Sequence, residues 1–288
     1  MRVGLLVVLI VVGISYAVYW CVDLWGHRQE WLATSASTLA VALSGILIFF
    51  LSTLGVSDFA VSTAIYTPTK WVSIKRLPGT LNVQGVLPFV MMSVGFIGVV
   101  HVDPFTLIAL VGAQVVGALA SPRIVVKLPE RAIKQWIAGG LLLAGVFILA
   151  SRLHLIAGNG TATGLTGWTL MIGCVLQAVY GALNNIGIGS YALTTATVYA
   201  LGLNPLVAFP IMMSGSALSV AAGSSIFIYY GDYQRKIASV ASLAGLIGVA
   251  AGLIAFAHFN VAIVSWLVVG VLFYTAINLL IGLRRKRP

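Results

Sequence analysis

Long apolar runs, broken only by short stretches that carry nearly all the charge, constrain this 288-residue chain more than any other feature. Eleven runs can be marked, from Val3–Trp20 to Val261–Leu283, and nine of them have the length a bilayer crossing needs. Two, Phe59–Tyr66 and Tyr191–Leu201, are too short to cross alone. Hydrophobic residues make up 60% of the chain and charged ones 8%, too few to give a soluble fold of this size a polar skin. The expectation is an all-α polytopic membrane protein, multi-pass in the cell's inner membrane, with the lipid bilayer as the partner of most of its surface.

The formal net charge of +10 does not indicate nucleic acid. The basic residues lie in the gaps between apolar runs, where they report topology. Cys21 and Cys174 are isolated, without metal-ligand spacing. The first run follows a single Arg2 and lacks a small-x-small cleavage site, so it reads as a membrane helix rather than a leader.

The two short runs are also where the chain repeats itself. LSTLGVSDFAVSTA from Leu51 aligns without gaps on LNNIGIGSYALTTA from Leu183, with identities at Leu51/Leu183, Gly55/Gly187, Ala60/Ala192, Thr63/Thr195 and Ala64/Ala196. Chance likeness between apolar helices rarely sets a Gly-centred polar break at the same offset, so the spacing indicates a duplication. Each repeat reads as a broken, re-entrant-type helical hairpin followed by three transmembrane helices. The divisions are residues 1–32, an extra N-terminal helix and loop; 33–152, the first repeat; and 153–288, the second repeat with a basic tail.

Charge decides how the hairpins run. If each returns to the side it came from, a repeat makes three net crossings and the second copy is inverted. Then 14 of the 16 Lys and Arg residues share one side, leaving Arg2 and Arg152 on the other. If each hairpin crosses once, the basic residues split 8 and 8. The positive-inside rule selects two inverted repeats.

At these residues the chain resembles the TauE/SafE family of sulfite and organosulfur-anion exporters, over about Ala36 to Leu283. The family's Gly-rich break occurs twice, as GVSDF from Gly55 and GIGSY from Gly187. Its linker from a Gly-rich helix to a basic segment matches GALASPRIVVKLPERAIK from Gly117. PGTLNVQ from Pro78, VDPFTL from Val102 and GLNPLVAFPIMMSGSA from Gly202 look like a divergent branch of the same family. The family's usual run of three glycines is reduced here to Ser57–Asp58–Phe59 and Gly189–Ser190–Tyr191. The resemblance implies export or uptake of a small anion such as sulfite, a sulfonate or a carboxylate, and leaves the anion unnamed.

Non-helical backbone inside a bilayer needs protein or a water-filled cavity to satisfy it, so two matched breaks point to a shared central cavity. Short arms starting at Phe59 and Tyr191 turn their free N–H groups and positive dipole ends toward the turns. Two such N-termini near mid-membrane make an anion site without a buried Lys or Arg. The expected substrate-binding set is Thr53, Ser57, Asp58, Ser62 and Thr63 at the first break, with Asn184, Asn185, Gly187, Gly189, Ser190, Thr194 and Thr195 at the second. The alternative for these hydroxyls and amides is capping and helix packing.

Of the six acids, Asp58 alone lies inside a membrane run by this reading, with Asp23, Glu30, Asp103, Glu130 and Asp232 in loops. Asp58 is either a group that exchanges a proton during transport or the N-cap of the short arm. Gln114 and Gln177 read as interhelical hydrogen-bonding residues. His27, His101, His154 and His258 read as loop residues, and no metal or other cofactor is expected. An enzyme is not expected: MSGSALS from Met213 has serines without a mid-helix histidine, and no HExxH is present. An anion channel on the same scaffold is the alternative function.

Overall fold

The computed structural model describes residues 2–97, 100–125, 127–153, 155, 160–185 and 190–256, together with 269–270, 273–274, 276–277 and 280–281. Among these residues all regular structure is helical, apart from one isolated bridge between Ala162 and Leu203. The helices are α1 (Arg2–Gly26), α2 (Arg28–Ala33), α3 (Thr38–Thr53), α4 (Asp58–Thr69), α5 (Leu77–Ile97), α6 (Pro104–Ala120), α7 (Pro122–Val125), α8 (Glu130–Arg152), α9 (Gly167–Asn184), α10 (Tyr191–Ala200), α11 (Ala208–Tyr230) and α12 (Arg235–Ala255). Among the described residues, five helices are long and apolar enough to cross a membrane: α1, α5, α6 with its extension to Ile124, α11 and α12. α3 is shorter because the Gly55 break ends it.

Many apolar side chains face outward around a mixed interior in which polar ones are buried beside the apolar core. Val7, Val11, Ile14 and Val18 on α1, and Met171, Val175 and Val179 on α9, are exposed. Asn82, Gln84, Gln114, Gln177 and Asn184 are buried. A bilayer solvates the first set, and the second must find partners within the bundle.

Two helix pairs pack at near-backbone distance. On α3 and α12, a Cβ added at Gly248 would lie 2.1 Å from the Ile46 carbonyl oxygen, and one at Gly245 2.2 Å from Phe49 Cδ2. On α6 and α9, a Cβ at Gly117 would lie 1.8 Å from the Ala178 carbonyl oxygen, and one at Gly181 1.9 Å from that of Gln114. Glycine is what permits these approaches, which take the place of a hydrophobic driving force between helices in lipid. α5 packs on α11 between these pairs, while α12 also contacts α5 and α11 contacts α6.

The loops sort to two faces. On one, Lys75 Nζ donates to the Leu128 carbonyl (2.8 Å) and Arg76 Nη1 to Gln234 Oε1 (3.4 Å). Gln234 N donates to Thr80 Oγ1 (2.9 Å), and Lys236 Nζ to the carbonyls of Thr34 (2.9 Å) and Ala36 (2.8 Å). On the other, Asp103 N donates to the Thr163 carbonyl (2.8 Å), Leu165 N to Thr106 Oγ1 (2.9 Å) and Asn204 N to the Ala162 carbonyl (2.8 Å). Both ends of α3–α4 therefore lie on the first face, and both ends of α9–α10 on the second. The four basic tail residues from Arg284 lie outside the described residues.

One expectation changes here. Glu30 lies in α2 and Glu130 opens α8, and Asp23 is part of α1, not of a loop. Arg235 holds it through Nε to Oδ2 (2.9 Å) and Nη2 to Oδ1 (3.0 Å), while Nη1 reaches Glu30 Oε2 (2.6 Å). An acid one turn from a helix end is tolerated because the guanidinium of the facing helix meets it in bidentate geometry. Tyr233 also donates to Asp23 Oδ2, and burial, followed by that hydrogen bond, holds its phenol well above the usual range.

Candidate functional site

α3 stops in a Schellman motif. Gly55 N donates to the Ser52 carbonyl (2.9 Å) and Val56 N to that of Leu51 (3.1 Å), with Gly55 at φ +90°. Only glycine takes that angle without strain, which explains its place in the break. The corresponding Gly187, with Gly189, lies outside the described residues.

α4 starts at Asp58, and Ser57 occupies the N-cap position without a side-chain cap hydrogen bond. Asp58 is thus the first helical residue and not the cap. It is fully buried, and among the described residues neither carboxylate oxygen has a hydrogen-bond partner of good geometry. The amides of Asp58 and Phe59 face it, and the phenols of Tyr66 and Tyr191 lie within electrostatic reach.

The two breaks meet. Ser52 Oγ lies 3.1 Å from Tyr191 Oη, and Tyr191 Oη donates to Met213 Sδ (3.1 Å). Ser190 Oγ accepts from Asn184 Nδ2 and Gln114 Nε2, each at 3.4 Å. The interior also holds Asn82, whose Nδ2 donates to the Asn184 carbonyl (3.2 Å), so α5 supplies a donor to one of the carbonyls that the end of α9 leaves open.

Several expected residues are committed to packing. Thr53 donates to the Phe49 carbonyl (2.8 Å) and packs on Gly252. Asn185 Nδ2 donates to the Ala118 carbonyl and Ser121 Oγ, both 2.8 Å, binding the end of α9 to α6. Thr194 pairs with Gln177 (3.2 Å), and Thr195 donates to the Tyr191 carbonyl (2.9 Å). Ser62 accepts from Gln84 Nε2 (2.8 Å), whose Oε1 accepts from Tyr66 Oη (2.9 Å). Thr63 is buried with its hydroxyl unpartnered among the described residues. The structure thus brings Asp58, Asn184 and Ser190 to the junction of the breaks, engages Thr53 and Thr195 with their own helices, and ties the amide nitrogen of Asn185 to α6, with its Oδ1 unpartnered among the described residues.

Sequence reading missed Asn82, Gln84 and Tyr191 as members of this interior. A signal for the first two existed: both interrupt the apolar pattern of α5, and a polar side chain in a membrane run needs a partner. Among the described residues no group of His, Cys, Asp and Glu could hold a metal ion. Compared with family models, curated proteins and solved structures, the chain finds no match in any of the three.

Proposed function

We propose that this chain transports a small anion, a sulfite, sulfonate or related organosulfur or carboxylate ion, from a site where two broken helices of inverted repeats meet. The observation that carries the reading is the Ser52–Tyr191 contact, which joins broken segments entering from opposite faces. At that junction α4 and α10 present N-terminal N–H groups and positive dipole ends, the arrangement that binds an anion where Lys and Arg would be costly.

Helix packing supports the repeat. The offset that carries Leu51 onto Leu183 carries Ile46 onto Ala178, Phe49 onto Gly181 and Thr53 onto Asn185. The offset that carries Gly117 onto Gly248 carries Gln114 onto Gly245 and Ser121 onto Gly252. All three resulting pairs are contacts in both halves: Ile46–Gly248 with Ala178–Gly117, Phe49–Gly245 with Gly181–Gln114, and Thr53–Gly252 with Asn185–Ser121. Inversion is supported by the opposite faces on which the two broken segments begin and end. The kinship with the TauE/SafE family belongs to the same reading.

Asp58 acts as the charge gate. Ionised, it repels the anion; protonated, it admits it, which couples transport to protons. Binding of the purified chain to sulfite, thiosulfate, sulfoacetate and small carboxylates tests the reading. Flux against a gradient in proteoliposomes separates carrier from channel. Failure of every such anion to bind or move overturns it.

A further inference from the structure

The interior at the second break has a surplus of acceptors. Asn82 on α5, Gln114 on α6, Asn184 at the end of α9 and Ser190 before α10 form one hydrogen-bonded chain through contacts of 3.2 to 3.4 Å. All four side chains are buried to within 1% exposure. Each of the three amide nitrogens of this network has an acceptor, Gln114 Nε2 also reaching Ser219 Oγ at 3.4 Å. Among the described residues, Asn82 Oδ1, Gln114 Oε1 and Asn184 Oδ1 have no donor.

Rotating the amide does not remove the surplus at Asn82. Its nitrogen lies 2.8 Å from the Pro78 carbonyl oxygen and 3.2 Å from that of Asn184, and a carbonyl in its place would face two others. The C-terminal end of α9, with its negative dipole end and the Asn184 carbonyl, reaches the same place.

We propose that the buried interior beside the C-terminal end of α9 binds a monovalent metal cation on the side-chain oxygens of Asn82, Gln114 and Asn184. Hard oxygen donors without formal charge suit a monovalent ion, whereas a divalent ion calls for carboxylates, and none belongs to this network. The same break then offers a helix N-terminus to an anion and a helix C-terminus to a cation, so the two ions neutralise each other in a low-dielectric interior. The cation's role as a driving ion rests on the transport reading; its binding does not.

The test uses the full chain in detergent, in gluconate salts at constant ionic strength, with choline replaced stepwise by sodium or potassium. Saturable binding of radioactive sodium, with a rise in unfolding temperature over choline, is expected. Gln114→Glu keeps the side chain's shape and adds a charge, and should tighten sodium binding at least tenfold. Asn82→Ser should weaken it at least tenfold. Absence of sodium binding to the wild-type chain means that the three oxygens hold water alone, and overturns the proposal. Wild-type sodium affinity in Gln114→Glu or in folded Asn82→Ser overturns it as well, by putting the ion elsewhere. Sodium binding without flux of any anion sinks the transport reading alone, and anion flux without sodium binding sinks this proposal alone.

Discussion

Ser52 on α3 and Tyr191 on α10, far apart in the chain, share a hydrogen bond of 3.1 Å where the two broken segments touch. The contact joins the two breaks, and the same phenol also reaches Met213 on α11. Tyr191→Phe keeps the ring against Phe89 and removes both bonds. A net loss of about 1 kcal/mol is expected, lowering the unfolding temperature by a few degrees. If the contact also holds the site in shape, flux falls by about fivefold, the rate equivalent of that energy. Unchanged flux would separate the contact from transport.

Accessibility should divide the loops as the structure does. With Cys21 and Cys174 replaced by Ser, a cysteine at exposed Ser73 and one at exposed Lys127 should react with an impermeant reagent from the same side. A cysteine at exposed Thr161 should react from the other. Labelling of positions 73 and 161 from one side would remove the inverted arrangement and the junction with it.

Gly55 is held at φ +90°, so Gly55→Val strains the backbone whatever space surrounds it. A cost of about 1–2 kcal/mol in stability is expected, with flux reduced further because the break moves. Gly112 on α6 is the control, since nothing lies within 4 Å of an added Cβ. Gly245 would be a poor one: its missing side chain is what admits Phe49.

Asp58→Asn separates charge from shape. Asn occupies the same volume and cannot ionise. Anion affinity should fall as pH rises in the wild-type chain, as the carboxylate forms and repels the ligand, and should stay flat in the variant. The phenols of Tyr66 and Tyr191 are the other titratable groups facing it, and their ordinary values lie well above this range. Matching pH profiles would end the gating role.

On the opposite side of the bundle from the basic loops, Asp103 caps α6, its Oδ2 accepting from Thr106 N and Oγ1 at 2.8 Å each. The hydrogen bonds from Thr106 hold its carboxyl below the usual range. Stability from this cap is present above the unfolded value and disappears as pH falls through the lower folded one. Asp103→Ala should cost about 1 kcal/mol near neutral pH and progressively less as pH falls below the ordinary carboxylate value of about 3.9, read from chemical unfolding across that range.

The positions of the breaks were legible because local chemistry sets them: a glycine at the end of an apolar run, then a polar triplet. The gathering of Lys75, Arg76 and Lys236 in or next to the segments between helices was legible because a bilayer leaves charge few places to go. The fates of Thr53 and Asn185 were not, since what occupies them is Gly252 on α12 and the Ala118–Ser121 turn beyond α6, neither visible from the break. Asp23 was misread as a loop residue because its partner, Arg235, is supplied by another helix more than 200 positions away. Local signals placed the hinge points, and long-range pairing decided which polar groups remain open.

That pairing has a consequence for biogenesis. α3 lies against α12, so during synthesis the ribosome must make everything from Gly55 to Gln234 before the partner of α3 begins to emerge. At ordinary elongation rates this leaves α3 waiting on the order of ten seconds or more, with Ser44, Ser52 and Thr53 lacking the neighbours that bury them. A short, glycine-bearing helix in that state is a poor candidate for independent insertion and a ready substrate for quality-control proteases. Co-expressed halves should therefore accumulate only together, each supplying the helix that the other has been holding a place for.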